Sequence, residues 1–127
     1  MRQSLDRSGI DQVFLVSPTT TDARLREAAR LGRGFLYAIS RLGVTGARES
    51  VATSAKPLAE RIRTLTPLPI ALGFGISRPE HVREVGAFAD AAVVGSALVQ
   101  VIADAASNGG DPATKAEHFV RWLRGNE

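Results

Sequence analysis

Four short runs of apolar residues recur along the chain, at residues 13–16, 34–39, 69–72 and 91–94. Each run is continuous rather than alternating. Continuous apolar runs are typical of strands buried on both faces, as in parallel sheets covered by helices. The pattern therefore predicts four strands of a parallel sheet.

Apolar residues at helical spacing lie between and after these runs. They predict helices over residues 21–31, 56–66 and 97–106, and one more that begins after the Ser77 to Glu80 segment. Ser77-Arg78-Pro79-Glu80 has the pattern of a capping box, with Ser77 as the predicted N-cap.

Two helix ends carry clear signals as well. Gly32 follows the first predicted helix as a C-cap, and Asp111-Pro112 opens the last helix, which Gly125 follows. Strands that alternate with helices predict βαβ units, so we expect one α/β domain over residues 1–127. The long polar loop over residues 41–54 follows the second strand, at the end where α/β folds place their sites.

The composition is that of an ordinary globular domain, with 127 residues, 44% of them hydrophobic and 23% charged, and a net charge of +3. The basic residues are scattered without interleaved aromatics, so we expect no nucleic-acid partner. The chain has no cysteine, which excludes disulfides and thiolate metal sites. Residues 1–11 are polar, and no apolar stretch approaches the roughly 20 residues of a membrane helix. We therefore expect a cytoplasmic protein with no membrane partner.

Glycines cluster where predicted strands end: Gly43 and Gly46 in the long loop, Gly73 and Gly75 after the third strand, and Gly95 before a helix. Each one alone has a plain alternative explanation as a turn. Together they favour a phosphate site, because glycine lets backbone N–H groups approach an anion and a helix start adds its positive dipole end. Barrels commonly hold a phosphate beside their last two strands and a short extra helix.

The segments that surround these glycines resemble one known family, the tryptophan synthase alpha chain. The resemblance covers residues from about Gly9 to the final helix, and its most specific part is the Ser-Arg-Leu-Gly-Val-Thr-Gly loop. It is carried by Phe14-Leu15-Val16-Ser17-Pro18-Thr19, Gly34-Phe35-Leu36-Tyr37, Ser40-Arg41-Leu42-Gly43-Val44-Thr45-Gly46, Gly73-Phe74-Gly75-Ile76-Ser77 and Val94-Gly95-Ser96-Ala97.

The resemblance implies a fold and a function. The family is a TIM (β/α)8 barrel, and this chain resembles strands 5 to 8 with their helices, a partial barrel. The family is a lyase of tryptophan biosynthesis that cleaves indole-3-glycerol phosphate to indole and glyceraldehyde 3-phosphate. Its partner is a beta chain, which carries pyridoxal phosphate, so no cofactor is expected in this chain.

The resemblance also assigns residues to the substrate. The residues implied to bind the substrate phosphate are Gly46, Gly75, Gly95 and Ser96. Tyr37 and Phe74 are implied to line the indole side of the pocket, and Thr45 to lie in a mobile loop that closes over the substrate.

No catalytic residue is expected in this chain. The reaction needs general acid–base groups, and the family's Glu and Asp lie near the second barrel strand, outside the part that this chain resembles. Five local carboxylates are interpreted without catalysis: a solvated loop charge at Glu49, helix first turns at Asp22 and Glu80, and the amino ends of strands at Asp11 and Asp90.

The remaining ionisable residues give no site either. His81 and His118 fall on predicted helices and are interpreted as surface residues, and Lys56 and Lys115 lie on or near exposed helix starts. No His, Asp and Glu group has metal-ligand spacing, so no metal is expected.

Three alternatives to an active lyase stay open. The chain is a non-catalytic phosphate-binding half-barrel or a remnant, or two copies associate to complete eight strands, or it belongs to another sugar-phosphate barrel. The second alternative follows from the two open edges that four parallel strands leave.

Overall fold

Strands and helices alternate along the chain, as the apolar pattern predicted. The computed structural model describes residues 2–40, 52–73 and 75–125. The strands are β1 (Phe14–Val16), β2 (Leu36–Ile39), β3 (Ile70–Gly73) and β4 (Ala91–Val93). The helices are α1 (Arg2–Arg7), α2 (Asp22–Leu31), α3 (Ala52–Leu65), α4 (Pro79–Gly86), α5 (Ser96–Ser107) and α6 (Pro112–Leu123). Only α1 was not predicted, because its residues are mostly polar and show no apolar periodicity.

The four strands form one parallel sheet in the order β1-β2-β3-β4. Its register places Leu15 beside Tyr37, Tyr37 beside Ala71, and Ala71 beside Ala91. Parallel neighbours in chain order need a crossover between each pair, and the intervening helices supply it. The predicted parallel α/β sheet is confirmed.

The helices bury one face of this sheet. Leu36, Ala38, Ile70 and Leu72 point toward the helices and are fully shielded from solvent. They join one apolar cluster with residues of α2, α3 and α4, namely Leu25, Ala28, Ala55, Leu58, Ala59, Ile62 and Val85. Burial of large aliphatic side chains contributes about 1.5–3 kcal/mol each, so this cluster supplies most of the stability of the fold.

The opposite face of the sheet is open. Alternate residues of the strands point there, and Leu15, in the middle of β1, is 61% exposed. Ala91 is exposed as well, and Tyr37, Ile39 and Val93 are only partly buried. β1 and β4 each have a single neighbour among the described strands. All-parallel sheets normally have both faces covered, so this sheet has the exposure of half a barrel.

The predicted helix ends are confirmed at two places and wrong at a third. Gly32 is the C-cap of α2, where a Cβ would lie 2.7 Å from the Ala28 carbonyl oxygen. Asp111 caps α6 and accepts from the backbone N–H groups of Ala113 and Thr114. The Ser77 capping box is not formed: the N-cap of α4 is Arg78, without a side-chain cap bond.

Asp90 ties three elements together at the amino end of the sheet. Its Oδ2 accepts from the Ile70 backbone N–H at 2.7 Å and from the Arg63 guanidinium at 2.7 Å. The hydrogen bond from Ile70, followed by that from Arg63, holds the pKa of Asp90 below its ordinary value. The carboxylate thus joins the starts of β3 and β4 to the last turn of α3.

Tyr37 on the open face lies directly over Gly73. A Cβ built on Gly73 would meet the Tyr37 hydroxyl oxygen at 2.5 Å, its Cε2 at 2.8 Å and its Cζ at 3.0 Å. These separations are below van der Waals contact, so a side chain at this position would require the Tyr37 ring to shift. Gly73 therefore leaves room for the ring in its present position.

Replacing Asp90 tests the carboxylate junction. We expect Asp90→Asn to lower the free energy of unfolding by about 1 kcal/mol near neutral pH, since the side chain is partly exposed and its bonds are screened. Because the pKa is lowered by folding, the contribution is present above the ordinary value of about 3.9 and is lost as pH falls through the lower folded value. Urea melts from pH 2 to 7 measure it.

Asp104→Asn is the matched control, because Asp104 is exposed on α5 and accepts from Gln100 within the same helix. If Asp90→Asn and Asp104→Asn lower the free energy of unfolding equally at neutral pH, the prediction that the Asp90 hydrogen bonds stabilise the fold is wrong.

A double-mutant cycle tests the contact between Gly73 and Tyr37. Gly73→Ala is expected to destabilise the protein by about 1–3 kcal/mol, because the added methyl group overlaps the ring. In a Tyr37→Ala background the same change is expected to cost less than about 1 kcal/mol. Tyr37→Phe should relieve it only in part, since the Cε2 and Cζ contacts remain. An equal penalty in all backgrounds would show that another contact selects glycine.

Candidate functional site

A cavity of about 360 Å³ opens at the carboxyl end of the sheet. Its wall comes from β2, from the turn after β3, and from the junction of β4 with α5. The lining residues are Tyr37, Gly75, Ile76, Ser77, Val93, Gly95, Ser96 and Ala97. Parallel α/β sheets bind ligands at this end, because the loops after the strands converge there.

The turn after β3 forms one wall through Gly75. Its φ is +65°, in the left-handed region that side chains disfavour. Ile76, next in the chain, is only 2% exposed and belongs to the core cluster. Gly75 therefore supplies the left-handed backbone of the turn, and the buried Ile76 side chain anchors the turn to the core.

The junction of β4 and α5 forms another part of the wall. Gly95 is the N-cap of α5, with φ −113° and no side-chain cap bond. A Cβ on Gly95 would meet nothing within 4 Å. Packing within the protein therefore does not require a glycine here, and the missing side chain leaves space in the cavity.

The start of α5 gives this wall its polarity. The N–H groups of Leu98 and Val99 donate to the Gly95 carbonyl oxygen. The N–H groups of Ser96 and Ala97 stand too early in the helix to have a carbonyl acceptor within it. The first turn of α5 contains no acidic residue. Free N–H groups and the helix dipole make this a favourable position for an anion.

The floor of the cavity is apolar. Tyr37 and Val93 belong to the open face of the sheet, and Gly73 leaves room for the Tyr37 ring. A flat aromatic ring beside a branched aliphatic side chain suits an apolar, planar ligand group. The cavity thus has one apolar side and one side rich in N–H donors.

No side chain that lines this cavity, within the described part of the chain, carries a formal charge. Asp22 and Glu80, for which the sequence predicts no catalytic role, do not line the cavity. Asp22 pairs with Arg61 at 2.8 Å, and Glu80 pairs with Arg83 at 3.0 Å. Across residues 2–40, 52–73 and 75–125, no three His, Cys, Asp or Glu side chains are grouped to hold a metal ion.

The loop after β1 also lies at the carboxyl end of the sheet. The Ser17 backbone N–H donates to the Thr20 hydroxyl at 2.8 Å. Arg61 of α3 donates to the carbonyl oxygens of Pro18 and Thr20, at 3.2 and 2.7 Å. Together with the Asp22 pair, these bonds fasten the loop to α3.

A second cavity, of about 310 Å³, lies on the outer side beneath α6. Its lining is almost entirely apolar, with Arg124 as the exception, and residues of α4, β4, α5 and α6 contribute to it. It lacks the convergent polar groups that fix a ligand, so it is a weaker candidate.

Four of the seven residues assigned from the sequence meet in the first cavity: Tyr37, Gly75, Gly95 and Ser96. Thr45, Gly46 and Phe74 lie outside the described residues, as does Glu49. The sequence did not single out Ile76, Ser77, Val93 and Ala97 as lining residues, although each stands within two positions of a glycine that it did.

The two histidines differ in their surroundings. His118 is exposed on α6, as expected. His81 is only partly buried, but its Nδ1 accepts from the Ser77 backbone N–H at 3.3 Å, so the interpretation as a plain surface residue was incomplete. Lys56 and Lys115 are exposed on helices, as expected.

Comparison with known proteins gives one consistent result. The family model described as tryptophan synthase alpha chain matches residues 1–125. A tryptophan synthase alpha chain of Solibacter usitatus is 46% identical over 121 residues, which are 95% of this chain and 45% of that protein. One of Methanosarcina barkeri is 50% identical over 125 residues, or 98% of this chain and 45% of that protein.

Solved structures agree with the sequences. The alpha subunit of Legionella pneumophila tryptophan synthase superposes with a TM-score of 0.83 at 27% identity, covering 98% of this chain and 45% of that chain. A chain from the α2β2 complex of Pyrococcus furiosus superposes with a TM-score of 0.82 at 34% identity, covering 98% and 49%. None of the helices in the described ranges combines the length and apolar character needed to cross a bilayer.

The fold, the glycine-lined cavity and the comparisons converge. This chain spans slightly less than half the length of the relatives that it matches, and its open sheet face accords with a partial barrel. The chain belongs to the tryptophan synthase alpha chain family.

Proposed function

We propose that this chain is the phosphate-binding half of an alpha-chain barrel, corresponding to strands 5 to 8, and that its 127 residues form a single domain. The observation that carries the proposal is the cavity in which Gly75, Gly95 and Ser96 meet Tyr37. In this proposal the ligand is indole-3-glycerol phosphate or its phosphorylated product.

The phosphate group is placed at the start of α5. The N–H groups of Ser96 and Ala97 have no acceptor within α5, and Gly95 presents no side chain to obstruct the approach. Gly75 lines the same cavity from the turn after β3. The sequence resemblance adds Gly46 to this set and Thr45 to a loop that closes over the ligand.

The indole ring is placed on the apolar side. Tyr37 and Val93 offer a flat and dry surface there, and the resemblance adds Phe74. This division between a polar and an apolar wall orients an amphipathic substrate, with the phosphate at α5 and the ring against the sheet.

Acid–base chemistry is assigned to the other half of the barrel. Cleavage of the bond to the indole ring requires protonation of a ring carbon and removal of a hydroxyl proton. The described lining residues of the cavity carry no carboxylate. We infer that this chain binds and orients the substrate, and that lyase activity needs the catalytic Glu and Asp from a complementary half.

The partner follows from the relatives. The related Pyrococcus furiosus chain comes from a tryptophan synthase α2β2 complex. We propose that a completed barrel containing this chain binds a beta chain in the cytoplasm, and that pyridoxal phosphate belongs to the beta chain and not to this one.

A second candidate function is phosphate binding without turnover. It is favoured by the same absence of charged side chains among the described lining residues. Self-association of two copies is a further alternative, which rests on the open face and edges of the sheet. Another sugar-phosphate barrel is no longer a candidate, since the family is known.

Ligand binding is tested by a thermal melt with indole-propanol phosphate, a substrate analogue. A ligand that binds only the folded state raises the melting temperature, by an amount equivalent to about 2.7 kcal/mol at 100 times its Kd. Gly95→Ala is expected to weaken binding roughly tenfold, or about 1.4 kcal/mol, by placing a methyl group where the ligand lies.

Gly86→Ala is the matched control. Gly86 lies at the end of α4, a Cβ there would also meet nothing within 4 Å, and it is not part of the cavity. Equal binding by both alanine variants, or a melting temperature that ignores the ligand, would contradict the proposed site.

Activity is tested by indole release from indole-3-glycerol phosphate. We expect no indole from this chain with a beta chain, because the described lining residues of the cavity carry no carboxylate. Addition of a separately produced N-terminal half from a related alpha chain, such as that of Solibacter usitatus, is expected to give measurable release. Release by this chain without that half would show that it carries its own catalytic groups.

A further inference from the structure

His81 does not line the cavity, but it is hydrogen-bonded to Ser77, a residue that does. It is the third residue of α4, and its Nδ1 accepts from the Ser77 backbone N–H at 3.3 Å. Ser77 does line the cavity, in the turn that follows β3. The imidazole therefore connects the first turn of α4 to the surface on which the ligand is placed.

This contact is a displaced half of a capping box. In a capping box, the side chain at the third helical position accepts from the backbone N–H of the N-cap residue. Here the N-cap is Arg78, without a side-chain cap bond, and His81 at the third position reaches one residue farther back. The histidine thereby takes the acceptor role that the sequence had assigned to Glu80, which pairs with Arg83 instead.

The bond fixes the orientation of one peptide group. A trans peptide is planar, so binding the Ser77 N–H sets the plane between Ile76 and Ser77. Ile76 is held from the other side, since its side chain is 2% exposed within the core cluster. Gly75, with its left-handed backbone, is otherwise the most permissive residue of the turn.

We infer that His81 is a positioning residue for the proposed phosphate site, acting through Ser77 on the turn from Gly75 to Ser77. The inference rests on the proposed function, because it assumes that the cavity takes a phosphorylated ligand. It requires the imidazole to be neutral, with its proton on Nε2, since only an unprotonated Nδ1 accepts a hydrogen bond.

The experiment uses the full chain and three variants: His81→Ala, His81→Asn and His118→Ala. Asparagine carries Oδ1 on the same γ atom that bears Nδ1 in histidine, so it keeps an acceptor at that position. His118 is the other histidine and is exposed on α6, which makes it the control for loss of an imidazole. Calorimetry with indole-propanol phosphate gives the affinity of each protein.

We expect His81→Ala to weaken affinity about three- to tenfold, the range for loss of one neutral hydrogen bond, with His81→Asn and His118→Ala within about twofold of the parent. Amide hydrogen exchange at Ser77 should speed up in His81→Ala and stay slow in His81→Asn. Imidazole nitrogen NMR of the parent chain should show the His81 proton on Nε2.

Several results would overturn the inference. A proton on Nδ1 of His81, unchanged affinity in His81→Ala, or a loss that His81→Asn shares would each remove the acceptor role. If the parent chain binds no indole-propanol phosphate, both the proposed function and this role fail. If it binds normally and His81→Ala binds equally well, only the role of His81 fails.

Discussion

The packing of α3 and α4 against one face of the parallel sheet is the interaction on which the cavity depends. Leu58 and Ile62 of α3 and Val85 of α4 pack in one cluster with Leu36, Ile70 and Leu72 of the strands. That cluster sets where each strand ends, and the turns after β3 and β4 begin from those ends. The cavity has its shape because the strands are held in register beneath it.

The other face is largely without cover, although Ala71 in the middle of the sheet is buried. A parallel sheet normally buries both faces, yet Leu15 at the centre of β1 is largely exposed. In the proposed barrel, Tyr37 and Val93 form the apolar side of the ligand cavity. Leu15 and Ala91, which are exposed here, are covered by the complementary half. In the proposed function, this half of the barrel keeps the ligand cavity and the complementary half encloses it.

Three glycines shape the cavity for three different physical reasons. Gly73 makes room for the Tyr37 ring, Gly75 adopts a left-handed backbone, and Gly95 leaves open space at the start of α5. The donors around them are backbone N–H groups, which need no charged side chain and do not titrate. In the proposed function, backbone N–H groups of this kind bind the anion, and the acid–base chemistry is assigned to carboxylates outside the described lining.

The sequence by itself determined the parallel sheet, the order of its strands, the helices that follow them, the end of α2 and the start of α6. It missed α1, and it placed the start of α3 at Lys56, whereas that helix begins at Ala52 within the predicted loop. Continuous apolar runs and helical spacing are local properties that need no knowledge of what lies opposite. It also marked Gly75, Gly95, Ser96 and Tyr37 as residues of one site, through the family resemblance and the rule that parallel strands end together. The structure brings these four into one cavity, but their roles toward a ligand stay predictions, as do those of Gly46, Thr45 and Phe74.

Tertiary structure decided what depends on contacts between distant residues. The Tyr37 ring over Gly73 and the Asp90 carboxylate on the Ile70 N–H join positions 36 and 20 residues apart, which no local pattern encodes. At α4, the N-cap is Arg78 and not the predicted Ser77, and the Ser77 backbone N–H donates to His81. Spacing along the chain predicts which groups are near one another, but only the packed fold fixes which donor meets which acceptor.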